Sequence, residues 1–146
     1  IVGRINGRFS TLEWTPVSYF YRSLPFESVI AYYAACDVAW ITPLRDGLNL
    51  VAKEFVATKK ATDSTGVLIL SEFAGAAVEL HGALLTNPYD ANSMSKVLHQ
   101  ALTMGADEAD YRCQRMSAIV AENDVARWGD EFMTAVQAKD KHGTGA

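Results

Sequence analysis

VAWITPLRDGLNLVAKEFVA, residues Val38 to Ala57, decides the fold. Val38 to Ile41 is a short, continuously apolar run, the pattern of a parallel strand buried on both faces. Thr42 to Gly47 is a loop rich in turn formers, and Leu48 to Ala57 reads as a helix with Leu48, Val51, Ala52 and Phe55 on one face. Strand, loop and helix follow one another without a spacer, which is half of a parallel βαβ unit.

The pattern repeats downstream. Polar residues with turn chemistry at Asp63 to Gly66 precede a second buried run, Val67 to Leu70, which enters the loop Ser71 to Gly75. Ala76 to Leu80 supplies a helical turn or two, and Ala83 to Thr86 a last short strand that stops at Asn87-Pro88-Tyr89. Asp90 to Met104, Asp107 to Glu122 and Asp124 to Ala138 are three helical stretches, each opened by Asp. Upstream, Phe26, Val29, Ile30, Tyr33 and Ala34 recur at spacings of three and four, giving a helix from Phe26 to Ala35 that faces a sheet, with Ser23 as its cap before Pro25. Val17 to Tyr21, β-branched and aromatic, reads as a strand. Ile1 to Phe9 has no initiator Met and reads as the end of an element, so the chain is expected to be a fragment. Buried, non-alternating strands between helices predict an α/β protein: a parallel sheet with helices on both faces, residues 1–138 forming one domain and 139–146 a loose tail. Ligands of such sheets bind beyond the carboxyl ends of the strands, here the loops Arg22 to Pro25, Thr42 to Gly47 and Ser71 to Gly75.

Composition narrows the function. The chain has 146 residues, 49% of them hydrophobic and 21% charged, enough for one core and unlike a disordered segment. A net charge of −4 offers no footprint for nucleic acid, and the adjacent Lys59 and Lys60 read as a solvated loop. No apolar run approaches a membrane span and no signal peptide opens the chain, so a cytoplasmic protein is expected. Cys36 and Cys113 are too few and too distant for a disulfide framework or a zinc site and read as buried core residues. A homo-oligomer is left open.

The chemistry concentrates between Thr42 and Glu54. Gly47 stands where loop becomes helix, so the N–H groups of Leu48, Asn49 and Leu50 are expected to be unsatisfied first-turn donors, an anion site strengthened by the helix dipole. Asp46 could accept from sugar hydroxyls, and Glu54 from a ribose. Each residue has a plainer reading, Asp46-Gly47 as a turn and Glu54 as part of a solvated helix face, and spacing alone leaves the ligand class open. Neither GxxxxGKS nor GxGxxG occurs. His81 reads as a turn residue, His99 and His142 have no partner pattern, and Trp14, Trp40 and Trp128 read as packing residues, Trp40 in a buried strand. Glu72 and Glu79, in the third loop region, could orient the site or serve as capping or solvated residues.

TPLRDGLNLVAKEFVA (Thr42 to Ala57), GVLILSEFAGAAVEL (Gly66 to Leu80) and ALLTNPYD (Ala83 to Asp90), with VGRINGRF, WTPVSYFYRS and the late WGDEF, resemble the C-terminal half of trehalose-6-phosphate synthases and glucosylglycerol-phosphate synthases. The resemblance implies part of the Rossmann-like C-terminal, nucleotide-sugar-binding domain of a GT-B glycosyltransferase. It implies retaining transfer of glucose from ADP-glucose or UDP-glucose to a phosphorylated acceptor held mainly by an N-terminal domain outside this chain. No catalytic metal or other cofactor is implied. Asp46, as the catalytic positioning group, and Gly47 would hold glucose hydroxyls; the backbone of Leu48, Asn49 and Leu50 would meet the diphosphate. Leu50, Val51, Ala52, Lys53 and Glu54 would border the nucleotide, Glu54 on the ribose, and Leu24 would lie by the base. DGLNLVAKEF and HGALLTNPYD lean toward the glucosylglycerol-phosphate branch, with ADP-glucose and glycerol 3-phosphate as substrates in compatible-solute synthesis. The rival reading is a noncatalytic relative kept for regulation or partner binding, against which the intact Asp46, Gly47, Asn49 and Glu54 speak.

Overall fold

The computed structural model describes residues 1–123 and 125–140. In chain order its elements are α1 (Val2–Phe9), α2 (Phe26–Ala35), β1 (Val38–Ile41), α3 (Leu50–Ala61), β2 (Val67–Ser71), a 3-10 turn (Gly75–Val78), β3 (Leu84–Thr86), α4 (Ala91–Leu102), α5 (Ala106–Glu122) and α6 (Val125–Asp140). The three strands form one parallel sheet in the order β1-β2-β3. Val38 lies beside Val67 and Ile41 beside Leu70; Ile69 lies beside Leu84 and Ser71 beside Thr86.

β2 explains the layering. Every residue of VLILS is buried, and its alternating side chains feed two separate cores. Leu68 and Leu70 meet Ala52, Phe55 and Val56 of α3 and Met116 of α5, while Val67 and Ile69 meet Leu84 and, on α4, Ala101 with Val97 and Leu98. Helices therefore cover both faces, as predicted. Each large side chain so buried contributes about 1.5–3 kcal/mol.

Several expectations are corrected. Residues 17–21 do not form a strand: β1 makes its ladder with β2, and Asn6 takes both backbone groups of Val17, donating from Nδ2 to Val17 O at 2.8 Å and accepting Val17 N–H on Oδ1 at 3.0 Å. Strand-forming chemistry without a ladder partner leaves an irregular segment with Tyr21 exposed. β1 is not buried on both faces, because it is an edge strand among the described residues, and Trp40 is 46% exposed. Pro25 stands at the N-cap of α2 with no side-chain cap from Ser23, and α2 buries no residue fully; it packs on α3, where Tyr33 meets Phe55 edge to face at 6.2 Å. The inward face of α3 is Ala52, Phe55, Val56, Thr58 and Lys59, whereas Leu48 and Val51 are exposed.

Lys59 is no loop residue. It is buried in the last turns of α3, with Nζ donating to Ala34 O at 2.9 Å and lying 5.5 Å from the Phe55 ring centre. Cys113 is buried as expected, but Cys36 is exposed, since it follows the last turn of α2 instead of lying on its inner face. Asp90 caps α4 by accepting from Asn92 N–H, whereas Gly105, not an Asp, precedes α5. His81 sits exposed in a turn and His99 exposed on α4. Of the expected tail 139–146, Lys139 and Asp140 instead end α6, while 141–146 with His142, like Asp124 and the side chain of Trp128, lie outside the described residues.

Candidate donor site at the carboxyl ends of the strands

Because the strands are parallel, the loops 42–49, 72–75 and 87–90 leave the same edge of the sheet. Backbone hydrogen bonds lace them together. Asp46 N–H donates to Phe73 O at 3.3 Å, Gly75 N–H to Asp46 O at 2.9 Å, and Ala76 N–H to Leu48 O at 2.9 Å. Glu72 N–H reaches Thr86 O at 3.1 Å, and the rings of Phe73 and Tyr89 meet at 5.9 Å. The approach at Gly75 is so close that a Cβ there would overlap the Gly47 carbonyl, which only glycine permits.

Within this frame Asp46 and Asn49 form a closed unit. Oδ1 of Asp46 accepts the N–H groups of Leu48 (3.1 Å) and Asn49 (2.9 Å), and its Oδ2 accepts Nδ2–H of Asn49 (3.0 Å). Asn49, buried and left-handed at φ 60°, then turns its Oδ1 to the Ala52 N–H at 3.0 Å and caps α3. Asn tolerates that conformation better than most residues, and its amide serves donor and acceptor roles at once. The Leu48 and Asn49 backbone N–H groups, followed by the Asn49 amide, hold the Asp46 carboxyl below its usual range. It remains an anion at neutral pH.

The expected row of free donors is thus shifted. α3 begins at Leu50, not Leu48, because Asp46 and Asn49 occupy the positions that turn into the helix. The N–H groups of Leu48 and Asn49 are already taken by Asp46, and the helix opens with Leu50 and Val51, whose N–H groups have no intrahelical acceptor. Gly47, Leu48, Leu50 and Val51 are exposed along this rim, while Ala52 is buried beneath it. Lys53 turns aside, its Nζ 2.8 Å from Glu79 Oε2 behind the 3-10 turn, so Glu79 is an ion-pair partner and not merely solvated. Glu54 is exposed, just over one turn into α3, with its Oε2 3.4 Å from Tyr33 Oη. Leu24 is half-buried on the segment entering α2, apart from the Asp46–Asn49 unit in sequence and tied to α3 through α2.

Sequence reasoning missed Tyr33, Gly75 and the partner of Glu79. Spacing puts Tyr33 on a helix face, but its pairing with Glu54 spans two elements and has no local signal. Among the described residues, no three His, Cys, Asp or Glu side chains gather as metal ligands, and no helix is long and apolar enough to cross a membrane.

The geometry is one loop–helix junction with a fixed carboxylate and a second acid one turn on. Residues 1–138 match the pattern of glycosyltransferase family 20. The chain belongs to that family. It is 62% identical to the glucosylglycerol-phosphate synthase of Pseudomonas anguilliseptica over 92% of this chain and 18% of that protein. It is 49% identical to the trehalose-6-phosphate synthase of Sodalis glossinidius over 90% of this chain and 28% of that one. Among solved structures it superposes on the UDP-forming alpha,alpha-trehalose-phosphate synthase of Burkholderia vietnamiensis with a TM-score of 0.86 and 47% identity, covering 94% of this chain and 31% of the other. This family 20 chain therefore shares the α/β architecture of GT-B enzymes and spans under a third of each of these hexosyl-transferring relatives.

Proposed function

We propose that this chain is the C-terminal, donor-binding part of a retaining glucosyltransferase that moves glucose from a nucleoside diphosphate to a phosphorylated acceptor. The observation that carries the reading is the junction itself: an anionic Asp46 locked by Leu48, Asn49 and the Asn49 amide, directly before the positive end of α3. A carboxylate held by three donors keeps acceptor capacity on Oδ2, enough to accept from a glucose hydroxyl while its position stays fixed. The exposed start of α3 at Leu50 and Val51 suits the leaving diphosphate, where negative charge grows during transfer, so donors aimed there favour the transition state over the ground state. Glu54 is left for the ribose and Leu24 for the base. Asp46 acts as a positioning group in this scheme, no metal takes part, and the reaction runs in the cytoplasm.

For the substrates, ADP-glucose and glycerol 3-phosphate are proposed, giving glucosylglycerol phosphate. The 62% identity to a glucosylglycerol-phosphate synthase, against 49% to a trehalose-6-phosphate synthase, supports this choice. UDP-glucose with glucose 6-phosphate is the second reading, favoured by the likeness to the UDP-forming Burkholderia enzyme. Turnover by the full-length protein with each donor crossed with each acceptor separates them; preference for UDP-glucose and glucose 6-phosphate overturns the first. In the same protein Asp46→Ala is expected to reduce turnover to background while the protein still folds, and near-normal turnover would remove Asp46 from the site.

A further inference from the structure

Glu54 carries its carboxylate on a long side chain at the exposed face of α3, where such a side chain ordinarily samples several rotamers. Its one polar partner among the described contacts is Tyr33 Oη, 3.4 Å from Oε2. Tyr33, by contrast, is anchored. It lies on α2 with its ring partly buried against the core and edge-on to Phe55 at 6.2 Å, so its hydroxyl is a fixed point beside a movable acid. Phe55, the residue after Glu54, is fully buried, which ties the ring contact and the carboxylate to the same turn of α3. Burial first, and the nearby Glu54 second, push the Tyr33 phenol above its ordinary pKa, which keeps it protonated as the donor of this pair.

We infer that Tyr33 is a positioning residue: its hydroxyl holds the Glu54 carboxylate toward the ribose hydroxyls of the donor nucleotide and thereby raises the preference for a ribonucleotide. This rests on the reading of Glu54 as the ribose-binding acid. Tyr33 itself touches no substrate in this scheme. A carboxylate accepting from both vicinal hydroxyls needs a defined orientation, and fixing it beforehand lowers the ordering cost of binding. Tyr33→Phe removes the hydroxyl and retains the ring contact with Phe55, so the core beneath is kept.

The test is equilibrium binding of ADP and UDP, and of their 2′,3′-dideoxy counterparts, to the full-length protein. In Tyr33→Phe, binding of the better ribonucleotide is expected to weaken about threefold, the scale of one exposed hydrogen bond to a charged group, while the dideoxy nucleotide binds as before. Glu54→Gln is expected to erase most of the ribose preference, and Tyr33→Phe added to it to change nothing more. Equal weakening for both nucleotides, or none for either, overturns the inference, since a merely structural tyrosine does not distinguish ribose from dideoxyribose. If Glu54→Gln leaves the ribose preference intact, the reading of Glu54 falls and the inference with it. If Glu54→Gln erases the preference and Tyr33→Phe does not reduce it, the inference alone fails.

Discussion

Asn49 donates Nδ2–H to Asp46 Oδ2 at 3.0 Å while its own Oδ1 accepts the Ala52 N–H at 3.0 Å. One amide thus joins the carboxylate of the candidate site to the first turn of α3. Asn49→Asp isolates the first bond, because Asp keeps the cap and tolerates the left-handed backbone but faces Asp46 with a second carboxylate. Turnover of the full-length protein is expected to fall about tenfold or more, in line with losing a charge-assisted hydrogen bond and adding a like charge. The pH dependence has a definite sign. Asp46 is held below its unfolded pKa, so its contribution to stability is present above the unfolded value and is lost as pH falls through the lowered native value. Asn49→Asp raises that native value, and acid unfolding followed by circular dichroism should begin at higher pH than in the wild type.

Gly75 and Gly47 should respond differently to the same change. Gly75→Ala forces a Cβ into the Gly47 carbonyl, whereas a Cβ on Gly47 meets nothing within 4 Å. Neither glycine has a positive φ, so the contrast is one of space. Gly75→Ala is expected to cost about 1–3 kcal/mol by overpacking, and Gly47→Ala about 0.5 kcal/mol or less. Denaturant unfolding of the two variants measures both; equal costs would remove the close approach as the reason for glycine at 75.

Lys59 tests the opposite end of α3. Its stem is buried and its ammonium holds the Ala34 carbonyl at the end of α2. Lys59→Ala should destabilise by about 2–4 kcal/mol through the lost packing and the unsatisfied carbonyl, and Lys59→Met, which refills the space, should recover about half. Thermal melts at matched pH decide between a packing role and an electrostatic one.

The Lys53–Glu79 pair, at 2.8 Å and partly exposed, should matter less. A double-mutant cycle with Lys53→Met and Glu79→Gln is expected to give a coupling of about 0.5 kcal/mol, shrinking further in high salt. A coupling several times larger would mean that the pair braces the 3-10 turn beyond its direct attraction.

Periodicity made β2, β3 and most of the helices legible, because Val67–Ser71 and, in β3, Leu84 and Thr86 are buried beneath helices that the same chain supplies, although Leu85 is exposed. It failed where burial depends on neighbours that periodicity does not encode. Residues 17–21 have strand composition, but Val17 bonds its backbone groups to the Asn6 side chain, and VAWI is apolar throughout yet stands at an edge among the described residues, with Trp40 half-exposed. In the candidate site, Asp46, Gly47 and the start of a helix were readable as a motif. The direction of the hydrogen bonds was not. Aspartate before a helix can face a ligand or its own backbone, and in the folded chain Asp46 accepts from Leu48 and Asn49. Tyr33 and Gly75 act across elements, so their partners had no signature in the linear order.

The lacing of loop 42–49 to loop 72–75 bears on kinetics. Three backbone hydrogen bonds, at Asp46 N–H, Gly75 N–H and Ala76 N–H, hold the rim together, so loop 42–49 cannot swing without breaking register with its neighbour. On the proposed donor-site reading, a nucleotide meets a rim already held in one arrangement, and association should follow a single exponential whose rate rises linearly with ligand concentration, without the plateau that a preceding loop rearrangement would impose.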